Sequence, residues 1–216
     1  VSDQKPAALE DRHQEDGRLF SPSAGRNLAP IMSAFEAFEL TTGQVIEFGA
    51  GTGEHAAHLV KAHAELSWLA TERDPGSLES CQAWSDHFQL GDRMIVQALD
   101  LLTEFPEAKL PVADILYSSN VVHIAPIQVL ENILAYSAHG LKSDGYLVFY
   151  GPFRRDGVHN SDGNENFDKS LKNRDPQWGV RDLEQDILPR AADASLELRH
   201  IRDMPANNYF VVFQKA

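Results

Sequence analysis

Residues 45–53 read Val-Ile-Glu-Phe-Gly-Ala-Gly-Thr-Gly, so an acid, Glu47, is followed by glycines at every second position, Gly49, Gly51 and Gly53. Glycine lacks the Cβ that would keep a backbone from turning sharply and approaching a ligand closely. A pyrophosphate-binding turn of the dinucleotide type wants its third glycine at position 54, where Glu54 stands. Glu47 points the same way, because a carboxylate at a strand end suits a ligand carrying a positive amine and no phosphate. Glu72 lies about twenty residues beyond the glycines, the usual separation for an acid that accepts hydrogen bonds from a ribose diol. Asp74 is its rival, but it precedes Pro75 and suits the cap of a following helix.

Other chemistries are thinner. His55 and His58 share a helix face at three-residue spacing and His63 is near, yet no paired carboxylate or cysteine completes a metal set, and a polar helix surface explains them. No Gly-x-Ser-x-Gly elbow places a serine nucleophile. The run Ser-Ser-Asn-Val-Val-His over 118–123 offers Asn120 and His123. His123 reads either as a catalyst or as a hydrogen-bonded packing residue.

These residues need elements to position them. Ile31, Phe35 and Phe38 mark one face of a helix that leads into a strand at 45–48. A helix from 54 to 64 follows, then a strand at 66–71, a helix at 77–88 after Pro75-Gly76, and strands at 94–101 and 112–118. Residues 127–139 read as a helix and 146–150 as a strand. This βαβαβ alternation implies a parallel sheet with helices on both faces. In such sheets ligands settle beyond the carboxyl ends of the strands, where the glycine turn, Glu72 and the 118–123 run fall. Beyond 151 the pattern lapses into a polar insertion at about 152–179, with a short helical segment at 167–173. A helix at 180–194 and strands at 196–201 and 209–214 then close the chain.

Composition narrows the partners. The 216 residues match one domain, expected at 19–216 after a flexible lead-in at 1–18. The net charge of −13 repels a nucleic-acid backbone, and the basic residues at 154–155 and 169–174 are interleaved with acids, so a small molecule is the expected partner. No apolar run approaches the ~20 residues that span a bilayer. The first twenty residues lack a signal-peptide core, and Cys81 is the single cysteine, which makes the cytoplasm the expected compartment.

The glycine motif with Glu47 resembles the first motif of class I methyltransferases. More widely, the chain resembles a poorly characterised methyltransferase-like family that includes methyltransferase-like protein 26. The likeness runs from about residue 20 to 213. It rests on Ser21-Pro22, Arg26-Asn27, Pro30-Ile31, Glu47 with its glycines, Asn120, His123-Ile124 and Pro126, and the run Tyr150-Gly-Pro-Phe153. Further along it rests on Phe167-Asp168, Arg174-Asp175-Pro176, Trp178-Gly179, Arg181-Asp182 and the run from Met204 to Asn208. Gly25, where the family has an acid, and Ile127, where it often has tryptophan, depart from the pattern.

The resemblance implies a Rossmann-like, seven-stranded α/β fold, mostly parallel, with a C-terminal antiparallel hairpin. It also implies S-adenosylmethionine as cofactor and S-adenosylhomocysteine as product, held by Glu47, Gly49, Gly51, Gly53, Glu72, Asp100, Leu101 and Asn120. In that arrangement Asp100 takes the adenine amine and Leu101 packs on the ring; a surface-turn acid is the plainer reading of Asp100. Arg26, Asn27, Arg174, Asp175, Trp178, Arg181, Asn207 and Asn208 are expected as walls of an acceptor pocket. Their alternative is to fasten the insertion and turn a hairpin. His123 or Tyr150 is the candidate for orienting the acceptor's nucleophile. Two rival functions stand beside the methyltransferase: a non-catalytic protein that binds the cofactor or a partner, and a nicotinamide-dependent oxidoreductase, against which Glu47 and Glu54 argue.

Overall fold

The computed structural model describes residues 11–102 and 110–216. In chain order these form β1 (His13–Glu15), β2 (Arg18–Phe20), α1 (Pro22–Ala37), β3 (Gly43–Phe48), α2 (Glu54–Ala62), β4 (Leu66–Glu72), α3 (Pro75–His87) and β5 (Met94–Ala98). After them come β6 (Ala113–Ser119), α4 (Ile127–Gly140), β7 (Leu141–Gly151), α5 (Asp162–Arg174), α6 (Leu188–Asp193), β8 (Leu196–Met204) and β9 (Asn208–Lys215). Seven strands make one sheet in the order β5-β4-β3-β6-β7-β9-β8. β4 pairs with β5, β3 with β6 and β6 with β7 in parallel, whereas β9 runs antiparallel to both β7 and β8. This is the expected α/β architecture with its C-terminal hairpin.

By compactness the chain divides into one unit that holds residues 50–99 with the described residues before 43, and another that holds 43–49 with 100–216. In the first, Ser21 opens α1 by accepting the Ala24 amide at 3.4 Å, and Pro22 takes the first turn, where a missing N–H costs nothing. Ile31, Ala34 and Phe35 then turn inward, and Phe35 meets Trp68 of β4 with ring centroids 5.9 Å apart. In the second, Phe48 packs edge-on against Tyr136 of α4 at 5.8 Å, and Phe149 meets Phe213 across β7 and β9 at 6.3 Å. β8 lies at one end of the sheet order; its register shifts between Leu198 and His200.

Three expectations change. The flexible lead-in expected through Arg18 does not extend that far: β1 and β2 pair as a hairpin, with Leu19 donating its amide to Ser80 Oγ at 2.8 Å and the Trp84 indole donating to Leu19 O at 3.2 Å. Arg18 is buried between Phe20 and Trp84, its guanidinium 5.3 and 4.9 Å from the two rings. Polar composition concealed this, because the hairpin docks through a cation and backbone groups and presents no apolar period. The helix of the insertion starts earlier than expected, at Asp162, because Ser161 caps it by accepting the Asn164 amide at 3.1 Å. The segment expected to be helical over 180–194 opens as a single wide turn over Leu183–Ile187 before α6. There Ile187 N reaches back five residues to Asp182 O at 3.2 Å, just ahead of Pro189, which has no N–H to continue a tighter ladder.

Candidate functional site

In the first unit, a glycine turn joins the end of β3 to α2. Gly51 and Gly53 have φ of +59° and +81°, a region that residues with side chains rarely occupy. A Cβ on Gly53 would also lie 2.7 Å from the Cα of Cys81. The turn is held from below by β4 and α3. Ala50 donates its amide to Thr71 O at 3.0 Å, and Ser80 Oγ donates to Thr52 O at 2.7 Å.

Glu72, the last residue of β4, is the centre of this network. Its Oε2 accepts the Gly51 amide at 3.0 Å, and its Oε1 accepts the amides of Arg73 at 2.8 Å and Asp74 at 3.2 Å. A carboxylate has about four acceptor positions, so three amides fix its orientation and, among the described residues, one lone pair on Oε2 is left for a ligand. Asp74 does cap α3, accepting the Ser77 amide at 2.8 Å. Beside the turn, Glu54 opens α2 with its side chain buried and, among the described residues, its Oε2 without a hydrogen-bond partner. Burial raises its pKa, and nearby His13 partly opposes that shift.

The three histidines of this unit go separate ways. His55 Nε2 lies 2.9 Å from Ala24 O, His58 packs on the rings of Trp84 and Phe88, and His63 Nε2 is 3.8 Å from Glu36. Among the described residues no group of three or more His, Cys, Asp or Glu is gathered for a metal ion. Arg26 is exposed on α1 and its neighbour Asn27 is buried.

In the second unit, Glu47 is 2% exposed at the end of β3. Burial first, then the Glu47 charge, pushes the Tyr117 hydroxyl well above its usual range. Gly49, with φ of +75°, leaves room for Val121, whose Cγ2 would lie 2.4 Å from an added Cβ. Asn120, at φ of +62°, turns the chain after β6 and donates its amide to Tyr150 O at 2.8 Å. Asp100 Oδ1 accepts the Leu102 amide at 2.9 Å, and Leu101 is buried, its carbonyl accepting from Asn132 at 2.7 Å.

His123 is fully buried. Its Nδ1 accepts the Arg181 amide at 3.1 Å and its carbonyl accepts the Gly179 amide at 2.9 Å. Burial, followed by the Arg181 charge and opposed by Asp168, lowers its pKa to about 3. The ring is neutral with its proton on Nε2, which packs where a Cβ on Gly151 would lie 2.5 Å away. It is edge-on to Phe153 at 4.7 Å. Because successive strand residues alternate between sheet faces, Tyr150 points away from the face on which Gly151 meets His123. The Tyr150 hydroxyl accepts from Asn208 Nδ2 at 3.0 Å, and burial raises its pKa to about 12. The two residues singled out to orient an acceptor thus occupy different faces of β7.

The residues expected as pocket walls are tied largely to backbone. Arg181 donates to the carbonyls of Val122 at 2.8 Å, Ala125 at 2.5 Å and Gln177 at 3.0 Å. Asn207 O receives Asn160 and Asn164, both at 2.9 Å, and Asp175 Oδ1 accepts the Gln177 amide at 2.8 Å. Arg174 is exposed, and Trp178 half-buried. A buried acid that the sequence brought out only as part of the Phe167-Asp168 pair organises this region. Asp168 accepts the Val180 amide at 2.8 Å and Lys172 Nζ at 2.7 Å, with His159 Nε2 at 3.4 Å. Burial works to raise its pKa, but Lys172 and the Val180 amide together hold it below the usual value.

Residues 18–215 match the family model described as "Protein of unknown function (DUF938)". The chain belongs to this family. Among solved structures it is similar to an O-methyltransferase family protein from Burkholderia thailandensis, with a TM-score of 0.77 at 15% identity over 90% of this chain and 57% of that one. It is also similar to human N-acetylserotonin methyltransferase in complex with SAM, with a TM-score of 0.70 at 14% identity over 90% of this chain and 53% of that one. PigF with SAH matches with a TM-score of 0.72 at 14% identity over 88% of this chain and 56% of that one. The chain therefore spans a little over half the length of the solved structures it matches, and the likeness establishes a class I methyltransferase fold. Among the described residues no helix is long and apolar enough to cross a membrane.

Proposed function

We propose that the chain is an S-adenosylmethionine-dependent methyltransferase acting on a small-molecule acceptor in the cytoplasm, akin to the family that includes methyltransferase-like protein 26. One observation carries the reading: Glu72 Oε2 grips the Gly51 amide at 3.0 Å while keeping a lone pair for a hydroxyl. An acid so placed, at the tip of β4 and against a glycine turn, fits a ribose diol and would repel a pyrophosphate. The complexes of similar fold with SAM and SAH support the same choice.

S-adenosylmethionine bound there supplies an electrophilic methyl group. The chain's own work is to bind and align, which can provide most of the acceleration of an in-line displacement without a covalent intermediate. Gly51 and Gly53 let the backbone approach, and Glu72 holds the ribose. Glu47 contributes negative charge toward a cationic ligand, while Gly49 and Asn120 shape the turns beside it. Asp100 and Leu101 take the adenine. The Arg26-Asn27 segment and the insertion, with Arg174, Asp175, Trp178, Arg181, Asn207 and Asn208, line the acceptor's approach.

His123 and Tyr150 hold structure near the chemistry and do not accept a proton from the acceptor. The Nδ1 lone pair of His123 is engaged by Arg181, and Tyr150 stays protonated at neutral pH. Isothermal titration with S-adenosylmethionine tests the cofactor assignment. Saturable binding is expected, and neither heat nor a thermal shift at millimolar ligand rejects it.

A further inference from the structure

Arg12 lies outside the residues that match the family, yet the hairpin that follows it is fastened to α3 and sets it against the glycine turn. Its Nη1 donates to Ser77 Oγ at 3.0 Å, and its Nη2 stands 3.8 Å from where a Cβ on Gly51 would be. Ser77 is 2% exposed, at the start of α3, so the anchor is rigid. Arg12 has no acidic partner among the described residues. The remaining N–H groups of its planar fork, and the Ser77 hydroxyl proton, are donors suited to a carboxylate.

A second observation at the same turn is independent of Arg12. Glu54 stands where a dinucleotide turn has glycine, and among the described residues its buried Oε2 has no hydrogen-bond partner, although the charge of His13 acts on it. Leaving a buried carboxylate oxygen unpaired is costly, so such an atom marks a place where a ligand donor belongs. Among the described residues, the turn carries a cation without an acidic partner and a buried acid without a hydrogen-bond donor. A zwitterion satisfies both, and a phosphate satisfies only the first.

We infer that Arg12 and Glu54 bind the α-amino-acid end of the nucleoside ligand, Arg12 with Ser77 taking the carboxylate and Glu54 taking the ammonium. This rests on the cofactor reading above, to which it adds one residue just before the hairpin and one at the start of α2 that are specific to the amino-acid tail.

The test titrates wild type, Arg12→Gln and Arg12→Lys with two probes, S-adenosylhomocysteine, which has the tail, and 5′-methylthioadenosine, which lacks both charged groups. Arg12→Gln is expected to bind S-adenosylhomocysteine at least tenfold more weakly and 5′-methylthioadenosine as wild type does. Arg12→Lys, which keeps the charge and loses the fork, should fall between. Unchanged 5′-methylthioadenosine binding also certifies that the variant is folded. Wild-type affinity of Arg12→Gln for S-adenosylhomocysteine overturns the inference and leaves the cofactor reading standing. If wild type binds neither probe, the cofactor reading fails and this one with it.

Discussion

The backbone N–H of Arg181 donates to Nδ1 of His123 at 3.1 Å, and this bond decides which ring nitrogen carries the proton. With Nδ1 accepting and the ring buried, His123 stays neutral down to a pKa of about 3, against an ordinary value of 6.5. The sign follows from linkage. Above pH 6.5 both folded and unfolded chains hold the ring neutral and its stabilisation is complete; as pH falls toward 3 only the unfolded chain takes up the proton. Stability is lost with acid across that window, by at most about 1.4 kcal/mol per pH unit for one group. His123→Asn offers Arg181 an oxygen at the Nδ1 position and does not titrate. Denaturant melts at pH 7 and pH 5 should show wild type losing more stability than His123→Asn. An equal loss in the two proteins contradicts a lowered pKa for the buried ring.

Gly53→Ala and Gly25→Ala make a contrasting pair. At Gly53 a Cβ meets the Cys81 backbone at 2.7 Å and φ is +81°, so destabilisation of about 1–3 kcal/mol is expected. Gly25 lies within α1 with nothing within 4 Å of an added Cβ, and alanine there should stabilise by about 0.5–1 kcal/mol. Thermal melting of both variants checks this, and similar melting temperatures would mean that the turn tolerates what its geometry forbids.

Glu72→Ala removes the carboxylate that accepts three amides and, with it, the proposed ribose contact. S-adenosylmethionine affinity should drop at least tenfold, about 1.4 kcal/mol. Asp74→Ala removes the α3 cap at a cost of about 1 kcal/mol of stability. Because Asp74 has no ligand contact in this scheme, its variant should retain wild-type affinity at a temperature where it is folded. Calorimetry on the two proteins separates the roles, and the reverse ranking refutes the choice of Glu72.

Arg18→Ala tests the docking of the hairpin. Loss of the cation from between Phe20 and Trp84, with the packing of its stem, should cost about 1–2 kcal/mol. Protection of the Leu19 amide in hydrogen exchange should fall with it, since its acceptor is Ser80 on α3. An amide that exchanges as slowly as in wild type would show that the pairing does not depend on Arg18.

Much of the sheet was legible because each parallel strand is an apolar run bounded by turn residues, and each crossover helix repeats its apolar residues every three or four positions. The strand-end acids were legible for the same reason, since they follow wherever strands end. Glu72 and Asp74 could be told apart by Pro75 alone. What stayed hidden depends on contacts between residues distant in the chain. The hairpin before α1 docks through Arg18 on Trp84, 66 residues away in the numbering of the chain. His123 read either as a catalyst or as a hydrogen-bonded packing residue, and only the Arg181 amide, 58 residues on, shows its Nδ1 to be occupied. Arg181, read either as a pocket wall or as a fastener of the insertion, donates to the carbonyls of Val122, Ala125 and Gln177, contacts that no local pattern specifies.

The register shift at Leu198 and His200 has an effect on how copies of the protein meet. β8 carries Glu197, Arg199, Arg202 and Asp203 along its length, and Arg199 pairs with Glu197 at 3.0 Å. A kinked, charged border strand offers poor hydrogen-bonding register to an incoming chain. Concentrated protein should therefore resist the strand-by-strand growth that leads to fibrils from this side.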